Sequence, residues 1–279
     1  MARSPEAQEA RVSIIVQGTR RVVARSASLP LPIETLKPRS EGWEKAEQLN
    51  RENYGIIIAH MHASKGDPPR VLERIFLSPT LGRREVFAPI AMHQLKGWHR
   101  PVGAPIGVQV FPVFTPETQT LAQKSPVLAK KLKDKYGIDV ADSRLLRVIT
   151  TEHTRQYIDQ AILLLQKAGV EMVAPQGHRE ETLTTMTTAI ESVVKRALDK
   201  NIHNIAVLFV GYDIKDVQNY GDKNRKNYNF FQTYRFHDGK CLTVDELFTK
   251  ANGNLKKLRE IIRLEMQATV PLEYLPKPS

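Results

Sequence analysis

The sequence predicts an α/β fold in which helices flank a layered mixed sheet. Short uninterrupted apolar runs rich in β-branched residues, at 56–59 and 205–210, are typical of strands that are buried on both faces of a sheet. Helical patterns alternate with such runs along the chain, as they do in layered α/β domains. A long helical section at 115–168 interrupts the alternation, and we expect it to be an insertion into the domain.

The first part of the chain, 1–40, is expected to be a basic arm outside the core. It is rich in arginine and interrupted by prolines, which lack the backbone donor that regular elements need. A short edge strand at 12–16 is an alternative that the apolar pattern allows there. The rest of the chain, 41–279, is expected to form a single domain.

The elements up to residue 114 are predicted from their start and stop signals. A helix is expected at 43–53, with Gly55 as its stop, because glycine commonly follows a helix end. Asp67 followed by two prolines indicates the start of a helix over 70–77, because a carboxylate caps free N–H groups and proline fits the first turn. Strands are expected at 56–59, 86–92 and 108–114. The third strand contains Pro112, which favours a sheet edge or a bulge.

The elements after residue 114 continue the alternation of helix and strand. Gly137 and Gly169 are the expected stops of the first two helices. A hairpin turn at 237–240 is predicted from the tetrapeptide His-Asp-Gly-Lys, since Asp-Gly favours tight turns. The expected helices are 121–136, 154–167, 183–200, 245–250 and 255–267, and the expected strands are 170–174, 205–210 and the hairpin at 230–242.

Composition narrows the class of protein. The 279 residues contain 41 Lys and Arg against 30 Asp and Glu, and the formal net charge of +11 favours an anionic partner such as nucleic acid, a membrane surface or a phosphorylated ligand. The single cysteine, Cys241, excludes an internal disulfide and a cysteine-built zinc site. No apolar run approaches the roughly 20 residues that span a bilayer. We therefore expect a cytoplasmic or organelle-stroma protein without a transmembrane segment.

The sharpest local motif is His62-Ala63-Ser64-Lys65-Gly66-Asp67, between a predicted strand and a helix start. There Asp67 is able to hold one imidazole nitrogen while the other nitrogen takes a proton from a substrate hydroxyl. In the alternative interpretation, Asp67 only caps the helix and His62 lies in a loop. Of the eight histidines, His62 alone has an Asp at this spacing, which favours the dyad.

A second loop between strand and helix reads Ala174-Pro175-Gln176-Gly177-His178-Arg179. Gly177 permits close approach of a ligand to the backbone, and Arg179 offers a guanidinium fork for a phosphate. Taken alone, this loop is an ordinary connection between a strand and a helix.

Together the two motifs resemble the glycerolipid acyltransferase family, whose members acylate glycerol phosphate and lysophospholipids. The first block of that family is a strand ending in His, then four residues and Asp, as at His62 and Asp67. Its third block reads Phe-Pro-Glu-Gly-Thr-Arg, which residues 174–179 resemble. The resemblance covers 54–267. The sequence departs from the family in Gln176 and His178, in the absence of an Arg from the second block at 107–114, and in an N-terminus that is not strongly apolar. These departures indicate a divergent member with an altered acceptor or lost activity.

The resemblance implies an O-acyltransferase that moves a fatty acyl group from acyl-CoA or acyl carrier protein to a hydroxyl of a glycerophosphate or lysophospholipid. His62, oriented by Asp67, would deprotonate the acceptor hydroxyl. Arg179 would hold the acceptor phosphate, with Gln176, Gly177 and His178 beside it and Lys65 as a further candidate. The chemistry requires no metal and no cofactor besides the thioester co-substrate.

Two other functions stay open. A lipid or acyl-chain binding protein on the same fold is suggested by the altered blocks. A nucleic-acid binding protein is supported by the charge alone, since no familiar motif accompanies it and aromatic residues make up only 7% of the chain. The basic segments 130–135 and 223–226 are either solvated faces or surfaces for peripheral docking on anionic lipid. Oligomeric state leaves no sign in the sequence.

Overall fold

A six-stranded sheet organises the residues that the structure describes. The computed structural model describes residues 12–28, 40–62, 67–95, 103–176, 186–214 and 234–270. Helices cover both faces of the sheet, so the predicted layered α/β fold with a mixed sheet is confirmed.

The strands lie in the sheet in an order that differs from their order in the chain. They are β1 (Gly55–His60), β2 (Val86–Ala91), β3 (Val108–Val113), β4 (Val170–Val173), β5 (Ile205–Ile214) and β6 (Tyr234–Thr243). Their order across the sheet is β3-β2-β4-β1-β5-β6. Neighbours from β3 to β5 are parallel, whereas β5 and β6 are antiparallel. β3 is an edge strand, as its Pro112 predicts.

The described residues also form nine α-helices. They are α1 (Ile14–Ser28), α2 (Glu41–Arg51), α3 (Asp67–Leu77), α4 (Pro116–Lys124), α5 (Pro126–Tyr136), α6 (Ser143–Gln166), α7 (Ala189–Asp199), α8 (Val244–Lys250) and α9 (Leu255–Gln267). Short 3-10 helices at Leu81–Arg83 and Ala104–Ile106 precede β2 and β3. Within this described part, none of the helices combines the length and the apolar character that crossing a membrane requires.

β1 is buried along its whole length. It lies between β4 and β5 and pairs with both in parallel, with Ile56 opposite Val170 on one side and opposite Ala206 on the other. Ile57 packs into the core on one face of the sheet, while Ile56 and Ile58 pack into the core on the opposite face. The prediction of a strand buried on both faces is therefore confirmed.

Different helices cover the two faces. α2 and α3 pack on the face of Ile56, where Trp43 and Ile75 are buried. α6, α7 and α9 pack on the face of Ile57, where their apolar stripes contribute the buried residues Ala161, Ile162, Leu165, Val193, Val194, Leu258 and Ile262. The sheet is thus the middle layer of three.

The helical section at 115–168 is only partly an insertion. Its first part, α4, α5 and the start of α6, encloses a small core of its own, formed by Met92, Phe114, Ala122, Leu132, Ile138 and Leu146. The second half of α6 packs on the sheet instead and is the crossover helix between β3 and β4. The predicted single helix at 121–136 is two helices, because Ser125 caps α5 and Pro126 begins it.

The alternative prediction of an edge strand at 12–16 is wrong, since α1 begins at Ile14. Arg20 anchors the helix, and its buried guanidinium donates to four backbone carbonyls: Ile106 (2.5 Å), Arg84 (2.6 Å), Gly107 (2.9 Å) and Gly82 (3.0 Å). Burial lowers the pKa of Arg20 to about 10. Part of the segment predicted to be an arm is therefore bound to the domain. The apolar pattern did not predict this contact, because the buried residue is an arginine.

The predicted hairpin turn at 237–240 is also wrong. These residues lie inside β6, which runs unbroken beside β5. The pairing slips by one residue between Leu208 and Val210, so the glycine of the Asp-Gly pair marks a β-bulge instead of a turn. A Cβ at Gly239 would lie 2.4 Å from Thr269 Cγ2, which explains why glycine is needed there.

Asp238 of the same tetrapeptide is buried in an ion pair. Arg74 of α3 donates to both of its carboxylate oxygens, with 2.7 Å between Arg74 Nη2 and Asp238 Oδ2. The Arg74 guanidinium lies between the rings of Trp43 (4.3 Å) and Phe236 (4.4 Å). This ion pair, with the two rings beside it, links α3 to β6 on the face of the sheet on which α2 also packs.

Several helix boundaries differ from their predictions. The helix predicted at 154–167 begins much earlier, at Ser143, because Asp142 caps it there. The first predicted helix ends at Arg51, because Asn53 takes the left-handed conformation (φ 67°) that ends it, and Gly55 instead begins β1. α7 begins at Ala189, later than the predicted 183–200, of which residues 183–185 lie outside the described part. The last helices match their predictions closely, and α8 begins with a capping box in which Thr243 and Glu246 cap each other.

A carboxyl group lies inside the core. Glu171 of β4 is fully buried, and Tyr157 of α6 donates its hydroxyl hydrogen to Glu171 Oε1. Its other oxygen, Oε2, has no hydrogen-bond partner among the described residues. Burial raises the pKa of Glu171 to about 7, because the charged form loses its hydration.

We predict that Glu171 makes stability fall as the pH rises toward neutrality. Its pKa is raised in the folded state, so between about pH 4.5 and about pH 7 the folded chain keeps a proton that the unfolded chain releases. The free energy of unfolding then drops by about 3 kcal/mol over this interval. Urea unfolding of the native protein and of Glu171→Gln at several pH values checks this. The same dependence of the free energy of unfolding on pH in the two proteins would contradict this prediction.

Candidate functional site

The candidate site lies where the parallel strands end. β1, β2, β4 and β5 all run in the same direction, so their carboxyl ends meet at one edge of the sheet. In parallel α/β sheets this edge is where ligands bind. Three of the strands are followed there by polar residues: His62 follows β1, His93 follows β2 and Gln176 follows β4.

Gln176 joins the two sequence motifs directly. Its side-chain oxygen Oε1 accepts a hydrogen bond from the backbone N–H of His62 at 2.8 Å, although the residues are 114 positions apart. Gln176 is only 1% exposed, so the bond is shielded from water. His62 of the first motif and Gln176 of the second are therefore in contact at the carboxyl edge.

The backbone of the residue before His62 is held from the other side. Met61 donates its N–H to the Val210 carbonyl (3.1 Å) and accepts the hydroxyl hydrogen of Tyr212 (2.9 Å), and both partners belong to β5. The end of β1 is thus fixed by β5 on one side and by the loop after β4 on the other. This fixes where the His62 side chain leaves the sheet.

His60 and His62 have different environments. His60 is buried, and its Nδ1 donates to the Met61 carbonyl at 2.7 Å, since a carbonyl oxygen can only accept. His62 is partly exposed, and its ring meets that of His60 edge-on with centroids 6.4 Å apart. Of the two, His62 is the one that a substrate is able to reach.

The loop after β4 returns to the same edge before α7. Thr187 donates both its N–H (2.6 Å) and its hydroxyl hydrogen (2.8 Å) to the carbonyl of Pro175. Thr187, which lies shortly before α7, is therefore held next to Gln176.

Several predicted site residues lie outside the described part of the chain. These are Lys65, Gly177, His178 and Arg179. Asp67 is the first residue of α3, as the helix-start signal predicts, but its side chain is also outside the described part. The contact between His62 and Asp67 and the phosphate-binding role of Arg179 thus stay predictions.

His93 is an edge residue that the sequence analysis did not single out. Its Nδ1 lies 2.8 Å from the Thr118 hydroxyl oxygen, and its Nε2 lies 3.7 Å from Glu117 Oε2. The sequence did not mark it, because His93 lacks the Asp five positions later that His62 has. The signal that marks it is its place just after a predicted strand, which it shares with His62.

Asp213 of β5 is a further polar group near this edge. Its Oδ2 lies 3.3 Å from His237 Nε2, whereas its Oδ1 is buried without a hydrogen-bond partner among the described residues. No group of three or more His, Cys, Asp or Glu side chains in the described ranges is arranged to hold a metal ion.

A separate groove of about 380 Å³ runs along β3 and α6. Its floor includes Phe87 and Phe111, which pack against Tyr157, and its rim includes Arg155 and Gln160. Its lining includes none of the residues that follow β1, β2 or β4. The groove is thus distinct from the carboxyl-edge site.

We predict that Gln176→Leu destabilises the site, because leucine takes away the acceptor of the His62 N–H, at a cost of about 1–3 kcal/mol. Gln176→Glu keeps an acceptor oxygen but buries a carboxyl group, so its cost should grow as the pH rises and the carboxyl ionises. Urea unfolding gives the loss of stability, and amide hydrogen exchange shows whether the His62 N–H becomes less protected. A leucine variant with unchanged stability and unchanged exchange at His62 would show that the bond is unimportant.

Comparison with known proteins adds no family assignment. No protein-family model matches the chain. A search of curated proteins also yields no match. The resemblance to glycerolipid acyltransferases therefore rests on the two motifs alone.

Proposed function

We propose that the protein transfers a fatty acyl group from a thioester, acyl-CoA or acyl carrier protein, to a hydroxyl of a glycerophosphate or lysophospholipid acceptor. One observation supports this most: the hydrogen bond between the His62 N–H and Gln176 Oε1, which brings the two motifs together. The motifs resemble blocks of one enzyme family, and their meeting at a ligand-binding edge is what a shared active site requires.

In the proposed reaction, His62 is the general base. One of its imidazole nitrogens would remove the proton from the acceptor hydroxyl as the oxygen attacks the thioester carbonyl. The tetrahedral intermediate then collapses, the C–S bond breaks, and the leaving thiolate takes the proton back from the imidazolium. An ester and a free thiol are the products. Asp67 would hold the other imidazole nitrogen and stabilise the imidazolium, as an aspartate does in catalytic triads.

Gln176 is a positioning residue in this proposal. Its oxygen is engaged by the His62 backbone, so it supports the base instead of the substrate. Arg179 would bind the acceptor phosphate with its fork of donors, and Gly177 would let the phosphate approach the backbone. His178 and Lys65 would line the same phosphate subsite.

The proposal includes peripheral association with an anionic membrane, on the cytoplasmic or stromal side. The acceptors are lipids that reside in membranes, and the chain carries a net charge of +11. Exposed lysines on α5, among them Lys130, Lys133 and Lys135, add positive charge to the surface. Each basic residue close to an anionic bilayer contributes about 1 kcal/mol to binding.

We predict that His62→Ala lowers acyl transfer by about a hundredfold to ten-thousandfold, the usual contribution of a general base. The assay follows thiol release from long-chain acyl-CoA in the presence of a lysophospholipid. His203→Ala is the matched control, because His203 is also paired with an aspartate, Asp245, at 2.7 Å, but precedes β5 at the opposite edge.

The control is expected to keep full activity. Thiol release by His62→Ala at the native rate would contradict the assignment of His62 and Asp67 as a catalytic dyad. An equal loss in both variants would show that the effect comes from folding and not from chemistry.

A further inference from the structure

α1 presents three apolar side chains to water and buries an arginine against the protein. Ile14, Ile15 and Val22 are 85%, 81% and 64% exposed, whereas Arg20 is completely buried. A surface helix of a globular domain normally has the reverse arrangement. The outward face of α1 is thus an apolar surface that the described part of the domain leaves uncovered.

The exposed residues share one side of the helix. At 3.6 residues per turn, Ile14, Gly18, Val22 and Ile15 fall within an arc of about 100°, and Arg20 lies on the opposite side. A Cβ at Gly18 would meet no atom within 4 Å, so the middle of the arc is open space. We call this surface, formed by Ile14, Ile15, Gly18 and Val22, the outer face of α1.

The helix cannot turn this face inward. The four hydrogen bonds of Arg20 go to carbonyls in two separate segments, around Gly82 and around Gly107. The guanidinium also lies 4.7 Å above the Phe76 ring of α3. Rotating α1 would break all of these contacts and leave buried carbonyls without donors, so the orientation of the outer face is fixed.

The charged residues of α1 itself all have one sign. The sequence of α1 contains three arginines and no acidic residue, and Arg21 is exposed. Other strongly exposed apolar side chains, such as Val127, Leu163 and Leu264, lie on three different helices. α1 thus combines a grouped apolar surface with positive charge, which is the pattern of helices that lie in a membrane interface.

We propose that the outer face of α1 docks on an anionic lipid bilayer, with Ile14, Ile15 and Val22 entering the boundary between headgroups and acyl chains. Arg21 would contact lipid phosphates beside them. A second copy of the chain fits less well, because a two-fold contact would bring the same arginine-bearing, acid-free surface against itself. The proposal deepens the proposed function, since it names the surface that brings the protein to its lipid acceptor.

The test is co-sedimentation of the full chain with vesicles of equal parts phosphatidylcholine and phosphatidylglycerol, without any thioester. Ile15→Ser combined with Val22→Ser is expected to weaken vesicle binding about tenfold or more. Gly18→Leu adds an apolar side chain to open space and is expected to strengthen it. Ile15 and Val22 face water, so thermal unfolding of the double variant should stay unchanged, whereas Gly18→Leu should raise the unfolding temperature slightly because leucine has the higher helix propensity. Val127→Ser, on the basic helix α5, is the matched control and should bind like the native protein.

Pure phosphatidylcholine vesicles and high salt are each expected to reduce binding, because part of the attraction is to anionic headgroups. Native-like binding of the Ile15/Val22 variant, or a loss in Val127→Ser alone, would overturn the proposal. Dimerisation of the native protein, measured by analytical ultracentrifugation and abolished in the Ile15/Val22 variant, would also overturn it. Acyl transfer to a water-soluble acceptor, measured without vesicles, reports on the proposed function separately.

Discussion

The placement of β1 between β4 and β5 is the constraint on which the rest of the structure depends. Every residue from Gly55 to His60 is buried, and parallel neighbours satisfy the backbone of the strand on both sides. Such a strand cannot shift in register without moving its apolar residues between the two cores. The point where the chain leaves the sheet, at Met61 and His62, is therefore set by the whole core and not by its own loop.

The polar residues of the carboxyl edge are held in place by this rigid core. β5 holds the Met61 backbone through Val210 and Tyr212, and the loop after β4 holds His62 through Gln176. A general base needs a fixed position relative to the hydroxyl that it deprotonates, and it gains that position from the groups around it. The same elements that stabilise the fold thus give His62 a defined place next to Gln176.

Much of the fold follows from local patterns. The buried strands, the edge position of β3 and the terminal helices are encoded in apolar periodicity, Pro112 and cap residues. Three features were missed because their cause is a distant partner. Arg20 is buried by carbonyls more than sixty positions away, and Asp238 pairs with Arg74 across 164 positions. Position 239, in the bulge, needs glycine because a Cβ there would lie 2.4 Å from Thr269 Cγ2. In the site, the spacing of His62 and Asp67 is visible in the sequence and indicates the end of β1. The support of the His62 backbone by Gln176 is visible only in the tertiary structure.

The most direct test of the account is whether the protein forms an ester between an acyl thioester and a lipid hydroxyl. The native chain is incubated with long-chain acyl-CoA and either glycerol phosphate or a lysophospholipid, and mass spectrometry identifies the lipid products. The account predicts a new acylated lipid in amounts that match the thiol released, and thiol release that depends on the acceptor. Tight binding of lipid without any ester, whichever acceptor is offered, would contradict it and favour a lipid-binding protein.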